Sequence, residues 1–200
     1  MADAFCFDLD GTITSREILP MLAAEVGYAE ELAALTDATI KGVIPFASSF
    51  RLRCKILSDL PISQARRIIE ATPLFPRIAD FVRSRPNQCF VVTGNLDIWI
   101  EPLVLMLGVK AYSSTAETES DRLVRVRHVL DKGDALKELR PRYDRIIAVG
   151  DGMGDVSMFE NADVKIAFGG VHRPVDALVD MSDMICLSET ALLNTLERML

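Results

Sequence analysis

The sequence predicts an α/β protein: a Rossmann-like, mainly parallel sheet core with an all-helical cap inserted after the first strand. Two observations carry this. From Pro73 onward, short runs rich in Val, Ile, Phe and Ala alternate with stretches of helical spacing, as in a parallel sheet covered on both faces. Between the first apolar run, Ala4 to Leu9, and that region, Glu17 to Thr72 carries apolar residues at helical spacing and no strand pattern. The expected organisation is a core of residues 1–14 and 73–200, with residues 15–72 as a cap above the strand ends.

Ala4 to Leu9 is a continuous apolar run ending in acid, the pattern of a buried central strand. In the insertion, Ile18, Leu22 and Val26, then Leu32 and Leu35, then Phe46, Phe50 and Leu57, then Ile68 and Ile69 mark about four helices. Gly27, Gly42 with Pro45, and Pro61 separate them. Ile78 to Arg85 reads as a helix, Cys89 to Val92 as a strand, and Asn95 to Leu107 as a helix blemished by Pro102. Val109 to Ser113 is a short strand, and the polar stretch from Ser114 to His128 has the composition of a hairpin. A helix from Lys132 to Arg140, a strand from Arg145 to Val149, a helix from Asp155 to Asn161 and a strand from Val164 to Phe168 follow. Met184 to Leu187 forms the last strand, and Ser188 caps the closing helix.

Composition excludes several classes. Half the residues are hydrophobic and 26% are charged, enough for a buried core and against global disorder. The 29 acidic against 22 basic residues give a net charge of −7, and no basic run offers a nucleic-acid surface. The longest apolar run, near Ile98 to Val109, contains Glu101 and Pro102 and falls short of the ~20 residues a membrane span needs. Cys6, Cys54, Cys89 and Cys186 are scattered without a CxxC pair, as expected of buried thiols in a reducing, cytoplasmic setting. No nucleic-acid partner and no membrane are expected, and the expected state is a monomer or homodimer.

Four segments lie where an apolar run ends or a helix begins: FDLDGT (Phe7 to Thr12), VTGN (Val92 to Asn95), Lys132 with Gly133, and VGDGMGD (Val149 to Asp155). Strand ends of an open α/β sheet converge on one crevice, so these segments can build one site. Asp8 and Asp10 stand two apart at the end of the first strand. Their repulsion is best offset by a divalent cation such as Mg²⁺. A metal-neutralised carboxylate can attack phosphorus, and a protonated neighbour can act as general acid. Taken alone, Asp-Gly is also common turn punctuation; the buried run before it favours function. Thr93 and Gly94 offer a hydroxyl and free N–H groups to a phosphate, or an ordinary helix cap. Lys132 opens a helix, where the helix dipole disfavours a cation, so a local anion is expected. Asp151, between two glycines after a strand, is placed as a metal ligand and Asp155 as its support from behind.

Other readings fit less well. Gly150, Gly152 and Gly154 imitate a dinucleotide fingerprint, but Asp151 would stand where pyrophosphate must sit, and VKIAF ends in Gly169-Gly170 rather than an acid. Signalling domains that accept a phosphoryl group combine acids, Thr and Lys but are shorter and lack the insertion. His128 and His172 lie in polar, loop-like surroundings with no nucleophile elbow between them.

In this order FDLDGT, VTGN, Lys132 and VGDGMGD resemble the haloacid dehalogenase-like phosphohydrolase superfamily over the whole chain. The cap, through PFASSFRLRCKILSDLPISQARRII, is similar to that of the phosphoserine phosphatases. The resemblance implies an Mg²⁺-dependent phosphomonoester hydrolase acting through an aspartyl-phosphate, on O-phosphoserine or a closely similar small phosphometabolite. It implies Asp8 as nucleophile and Asp10 as acid and then base. It further implies Mg²⁺ held by Asp8, the Asp10 carbonyl and Asp151, with Thr93, the Gly94 N–H and Lys132 on the phosphoryl oxygens. Glu17 falls where those phosphatases bind a substrate ammonium and Arg53 where they bind its carboxylate. The same chemistry on another phosphomonoester, phosphoryl transfer to an alcohol, or a non-catalytic phosphometabolite binder are the alternatives. Keeping both Asp8 and Asp10 argues against the binder, as it does against a dehalogenase. Three departures bear on the leaving group: Thr-Gly-Asn where Ser-Gly-Gly is usual, Gly154 where Asn is usual, and Gly11 where Ser is common. Asn95 is expected at the rim of the phosphate site, supplying the amide that position 154 lacks.

Overall fold

The computed structural model describes residues 2–40 and 43–200, so the helix break expected at Gly42 lies outside the described residues. The strands are β1 (Asp3–Phe7), β2 (Cys89–Leu96), β3 (Lys110–Glu119), β4 (Arg122–His128), β5 (Arg145–Gly150), β6 (Val164–Phe168) and β7 (Met184–Cys186). They form one sheet in the order β4-β3-β2-β1-β5-β6-β7. All neighbours are parallel except the β3–β4 hairpin. β1 is central because its alternate residues serve two cores. Phe5 and Phe7 face one, with Val91, Ile147 and Val149, while Ala4 and Cys6 face the other, with Val92 and Ala148. Both faces are covered, which explains a strand with no polar face.

Four helices follow β1 directly: α1 (Ile18–Val26), α2 (Ala29–Ile40), α3 (Phe46–Ile56) and α4 (Ile62–Glu70). Their apolar faces, with Ile18, Leu22, Leu32, Phe50 and Ile69, continue the core cluster of Phe5 and Phe7. Hydrogen bonds at its root and at its far side tie this helical segment down. At its root Ser15 N–H donates to the Pro73 carbonyl (2.8 Å) and Phe75 N–H to that of Ile13 (2.9 Å). At its far side the β3–β4 hairpin grips it: Ser63 donates its N–H (2.8 Å) and hydroxyl (2.5 Å) to the Asp121 carboxylate, and Arg51 Nη1 donates to the Val126 carbonyl (2.7 Å).

The remaining helices are α5 (Pro76–Arg83), α6 (Asp97–Leu107), α7 (Lys132–Leu139), α8 (Val156–Glu160), α9 (Asp176–Met181) and α10 (Glu189–Glu197). Pro102 is inside α6. The carbonyl it leaves without an N–H donor, that of Ile98, accepts instead from Arg66 Nε of α4 (2.7 Å), so the helix continues. Ser188 caps α10, accepting from Ala191 N–H (3.2 Å). Three expectations change. β2 runs on through Leu96, so α6 begins at Asp97 and not at Asn95. The short strand expected over Val109–Ser113 runs on to Glu119, and its outer half forms the expected hairpin with β4. Asp155 closes a 3₁₀ turn, Met153–Asp155, and the helix proper begins at Val156. Short α9 follows the polar loop after β6 and was not expected. No helix among the described residues is long and apolar enough to cross a membrane.

Candidate active site

Strand order changes direction at β1, with β2 on one side and β5 on the other. The carboxyl ends of these three strands border the crevice expected of such a switch point. Asp8 N–H still donates to Val149 O (2.9 Å), prolonging the pairing with β5. The chain then folds back tightly: the Leu9 carbonyl accepts from Ile13 N–H (3.0 Å), Thr14 N–H (2.9 Å) and Thr14 Oγ1 (3.0 Å). Gly11 sits at φ +68°, and a Cβ there would lie 2.5 Å from Asp151 Oδ2. Glycine at this position lets the β1 turn lie directly against the β5 turn.

Lys132 answers the anion question raised by its place in a first helical turn. Its buried Nζ lies 2.5 Å from both Asp8 Oδ1 and Asp155 Oδ1. Asp155 Oδ2 in turn accepts the N–H groups of Asp151 and Gly152, each at 3.0 Å. Asp155 thus supports Asp151 through the backbone and not through its carboxylate. Burial works against charge on Lys132, but Asp155 and Asp8 outweigh it and raise its pKa. Burial, then Asp155, pushes Asp8 well above the usual carboxylate range, with Lys132 opposing. Asp151 is raised to about 6, chiefly by burial.

Oxygens of Asp8, Asp151 and Asp155 lie within 4.8 Å of one another. Both Asp155 oxygens already accept protein donors, whereas Asp8 and Asp151 offer buried, hard oxygen ligands whose repulsion a cation would relieve. The donor set fits a divalent cation of the Mg²⁺ type.

Asp10 is held through both oxygens. Ile18 N–H, at the start of α1, donates to Oδ1 (2.7 Å), and the Asn95 amide donates to Oδ2. Burial and the nearby charge of Glu17 raise Asp10 to about 7 against these two bonds. A carboxyl titrating near neutrality can release and take up a proton in one cycle. Asn95 therefore departs from the rim position expected of it. It is buried, still in β2, and bonded to Asp10 and to Thr93 Oγ1 (3.3 Å). It does not cap α6, whose N-cap is Leu96 without a side-chain bond. Thr93 and Gly94 likewise belong to the strand end rather than to a helix N-terminus.

Above these groups lies a cavity of about 490 Å³, roofed by the helical segment through Glu17, Phe46, Phe50 and Arg53. Phe46 reaches down to the core: a Cβ on Gly94 would meet its ring at 3.2 Å, one on Gly154 at 3.9 Å. Arg53 is buried, yet its Nε has no hydrogen-bond partner, and among the described residues its side chain makes one long contact, 3.5 Å from Nη1 to Thr36 Oγ1. Its guanidinium lies 5.9 Å from the Phe46 ring centroid and makes no ion pair among the described residues. A buried cation that Asp10 and Glu17 support only from a distance, with no ion pair among the described residues, has room beside the cavity for an anionic ligand.

The structure adds a residue that sequence reasoning set aside. His172, on the loop after β6, lines the same cavity, with Nε2 2.9 Å from Asp151 Oδ2 and 3.4 Å from Glu17 Oε1. Hydrogen bonds to these carboxylates push its pKa up to about 11. The signal available was topological: the loop leaves the carboxyl end of the strand next to β5, where ligand-facing residues gather.

Residues 5–160 match the family model of the haloacid dehalogenase-like hydrolases. The chain belongs to that family. Its sequence is similar to the phosphoserine phosphatase of Methanocaldococcus jannaschii, 29% identical over 175 residues, covering 81% of this chain and 83% of that one. It is also similar to phosphoserine phosphatase SerB2 of Mycobacterium tuberculosis, 31% identical over 175 residues and 81% of this chain, of whose length it spans 43%. Two solved phosphoserine phosphatases share its fold at 25% identity. One is a phospho-aspartyl intermediate analogue (TM-score 0.82, covering 97% of this chain and 98% of that one), the other a substrate-bound complex (TM-score 0.83, 98% of each). Within the family, this chain brings its four segments and two residues of the helical segment, Glu17 and Arg53, around one cavity.

Proposed function

We propose that the chain is a Mg²⁺-dependent phosphomonoester hydrolase acting through an aspartyl-phosphate, on O-phosphoserine or a closely similar small phosphometabolite that carries a carboxylate. The observation that carries this reading is the pair at the end of β1: a lysine-held Asp8 next to an Asp10 raised to about 7. Family membership and the phosphoserine phosphatases it resembles support the same conclusion.

In this reading Asp8 attacks phosphorus and becomes the aspartyl-phosphate, while Asp10 gives its proton to the leaving oxygen. Asp10, now a carboxylate held by Ile18 N–H and Asn95, takes a proton from the water that opens the intermediate. Lys132, Thr93 and the Gly94 N–H hold the phosphoryl oxygens, aimed at charge that grows in the transition state. Mg²⁺ bound by Asp8, Asp151 and the Asp10 carbonyl would supply the charge that lets Asp8 stay ionised beside its neighbours. Residues 15–72 form the unit that selects the leaving group, with Arg53 on its carboxylate, and residues 1–14 and 73–200 the unit that handles phosphate. The four buried, free cysteines support a cytoplasmic setting.

Beryllofluoride with Mg²⁺ tests the nucleophile. The expected adduct is on Asp8, seen in a crystal or by fluorine NMR, and lost in Asp8→Asn. An adduct on another side chain, or an Asp8→Asn protein with full turnover, would sink the covalent mechanism.

A further inference from the structure

α3 is a wall between two cavities. Phe46, Phe50 and Arg53 recur at helical spacing and line the active-site cavity. Arg51, Cys54, Lys55 and, just past the helix end, Ser58 follow the same period on another face and line a second cavity of about 390 Å³. Its opposite wall is β4, from Leu123 to Val126. The floor is apolar, because Cys54, Leu123 and Val126 are buried. The rim is cationic: Arg51, Lys55 and Arg125 are exposed there, and among the described residues no carboxylate lines the cavity.

In a chain of net charge −7, a lining with three cations and no acid is a local reversal of sign. The neighbouring acids are engaged elsewhere. Glu117 is shared by Arg125 (2.7 Å) and Arg127 (3.5 Å), and Asp59 faces Arg122 at 3.9 Å. Asp121 accepts the N–H and the hydroxyl of Ser63. Arg51 gives Nη1 to the Val126 carbonyl (2.7 Å), which leaves its other donors free of any ion pair among the described residues. Lys55 has no ion pair among them either. One turn apart on a single helix face, the two side chains can converge on one anion, and a guanidinium beside an ammonium suits a carboxylate. The volume is that of a small-ligand pocket.

We propose that this second cavity is an effector site for a small organic carboxylate, with its charge on Arg51 and Lys55 and its apolar body on Cys54, Leu123 and Val126, and that the bound anion strengthens the grip of Arg53 on substrate. Enclosing the ligand takes both walls, α3 from the helical segment and β4 from the core. An anion between them adds to the bond from Arg51 to Val126 and favours the position in which α3 lies against β4. Arg53 is carried by the same helix, so that position is also the one that holds it at the active-site cavity. Binding in the second cavity stands without the phosphatase reading; its consequence for Arg53 rests on that reading.

Benzoate is the probe, and benzamide, its neutral counterpart, the control. Binding is followed by calorimetry and by the methyl NMR signals of Leu123 and Val126, on Asp8→Asn with Mg²⁺ and on the same protein carrying Arg51→Met or Lys55→Glu. Benzoate should bind and move both signals, and benzamide should do neither. Each variant should weaken benzoate by roughly 10-fold or more, the loss of one hydrogen bond between charged groups. Arg51 also holds the Val126 carbonyl, so if Arg51→Met fails to fold the decision falls to Lys55→Glu, at an exposed position. Coupling is read from O-phosphoserine: saturating benzoate should tighten its binding by roughly 5-fold or more, O-phosphoserine should tighten benzoate by the same factor, and Lys55→Glu should abolish both effects. Benzoate that binds no better than benzamide, leaves Leu123 and Val126 unmoved, or is indifferent to Lys55→Glu overturns the site. Bound benzoate that weakens O-phosphoserine or leaves its affinity unchanged overturns the effect on Arg53. If O-phosphoserine and p-nitrophenyl phosphate fail to bind while benzoate still moves both signals, the phosphatase reading falls and the site stands.

Discussion

Replacing Asn95 by Gly isolates one hydrogen bond at the acid–base group. The Asn95 amide donates to Asp10 Oδ2, and after its removal Asp10 keeps only the Ile18 N–H at 2.7 Å. A bond to a charged group contributes about 1.5–3 kcal/mol, roughly 10- to 100-fold in rate. The bond favours the carboxylate over the acid, so its loss raises the proton affinity of Asp10 and weakens it as an acid. The penalty therefore falls on formation of the aspartyl-phosphate, the step in which Asp10 must give up a proton, and spares its hydrolysis.

The expected result is a kcat about 10- to 100-fold lower without accumulation of the phosphoenzyme, because its formation limits the rate. Rapid quench should show alcohol and phosphate released together with no burst, and the loss should be smaller for p-nitrophenyl phosphate, whose leaving group needs no proton. A residue that merely stabilised the end of β2 would lower the melting temperature and cost the same on every leaving group. Adding Gly154→Asn should not restore the rate: Asn95 points to Asp10, and a Cβ at 154 meets only the Phe46 ring, at 3.9 Å. An Asn95→Gly enzyme with native kcat, one that shows a burst of alcohol, or one rescued by Gly154→Asn, would refute the reasoning.

Lys132→Met should destabilise the metal-free protein by about 3–5 kcal/mol in urea unfolding, since it leaves buried Asp8 and Asp155 without their shared cation; a loss below 1 kcal/mol would mean those carboxyls are neutral. Stability should also depend on pH with a defined sign. Folded Asp10 and Asp151 are raised to about 7 and about 6, so the stability they add is complete below about pH 4 and is lost as pH rises through those values. His172, raised to about 11, continues the decline above about pH 6.5. The melting temperature of the metal-free protein should therefore fall from pH 5 to pH 8, and Mg²⁺ should raise it more at pH 8; equal Mg²⁺ shifts at both would contradict the assignment of Asp8 and Asp151 as ligands. Arg53→Ala should lower kcat/KM for carboxylate-bearing substrates by about 10- to 100-fold and for p-nitrophenyl phosphate much less. Equal losses on both would remove Arg53 from leaving-group recognition.

What was legible in the sequence is what strand ends and helix starts dictate. Asp8, Asp151 and Thr93 follow from buried runs that stop at a polar residue, and Lys132 from a cation placed against a helix dipole. Its two anionic partners, Asp8 and Asp155, are the anion that placement called for. Asn95 was harder because the end of β2 depends on pairing. Leu96 still pairs with Ser114 of β3 beyond a register shift, so the strand outlasts its apolar run and turns Asn95 inward. His172 was illegible for another reason. Nothing local distinguishes it from a surface histidine, and its meaning comes from Glu17 and Asp151, which only the closed fold brings within reach.

The same closure explains why the site needs both a metal and a raised carboxyl. Five carboxylates line the cavity, against Lys132, Arg53 and His172; Arg173, also at its edge, is paired with Asp176. With every group ionised, the cavity carries two excess negative charges, which a divalent cation cancels. A phosphomonoester dianion then restores the excess, and no further cation is available to answer it. One carboxyl must bind a proton, and it is Asp10, buried, beside Glu17, and raised to about 7. With Asp10 as the general acid proposed above, substrate binding loads it with the proton that the leaving group will take.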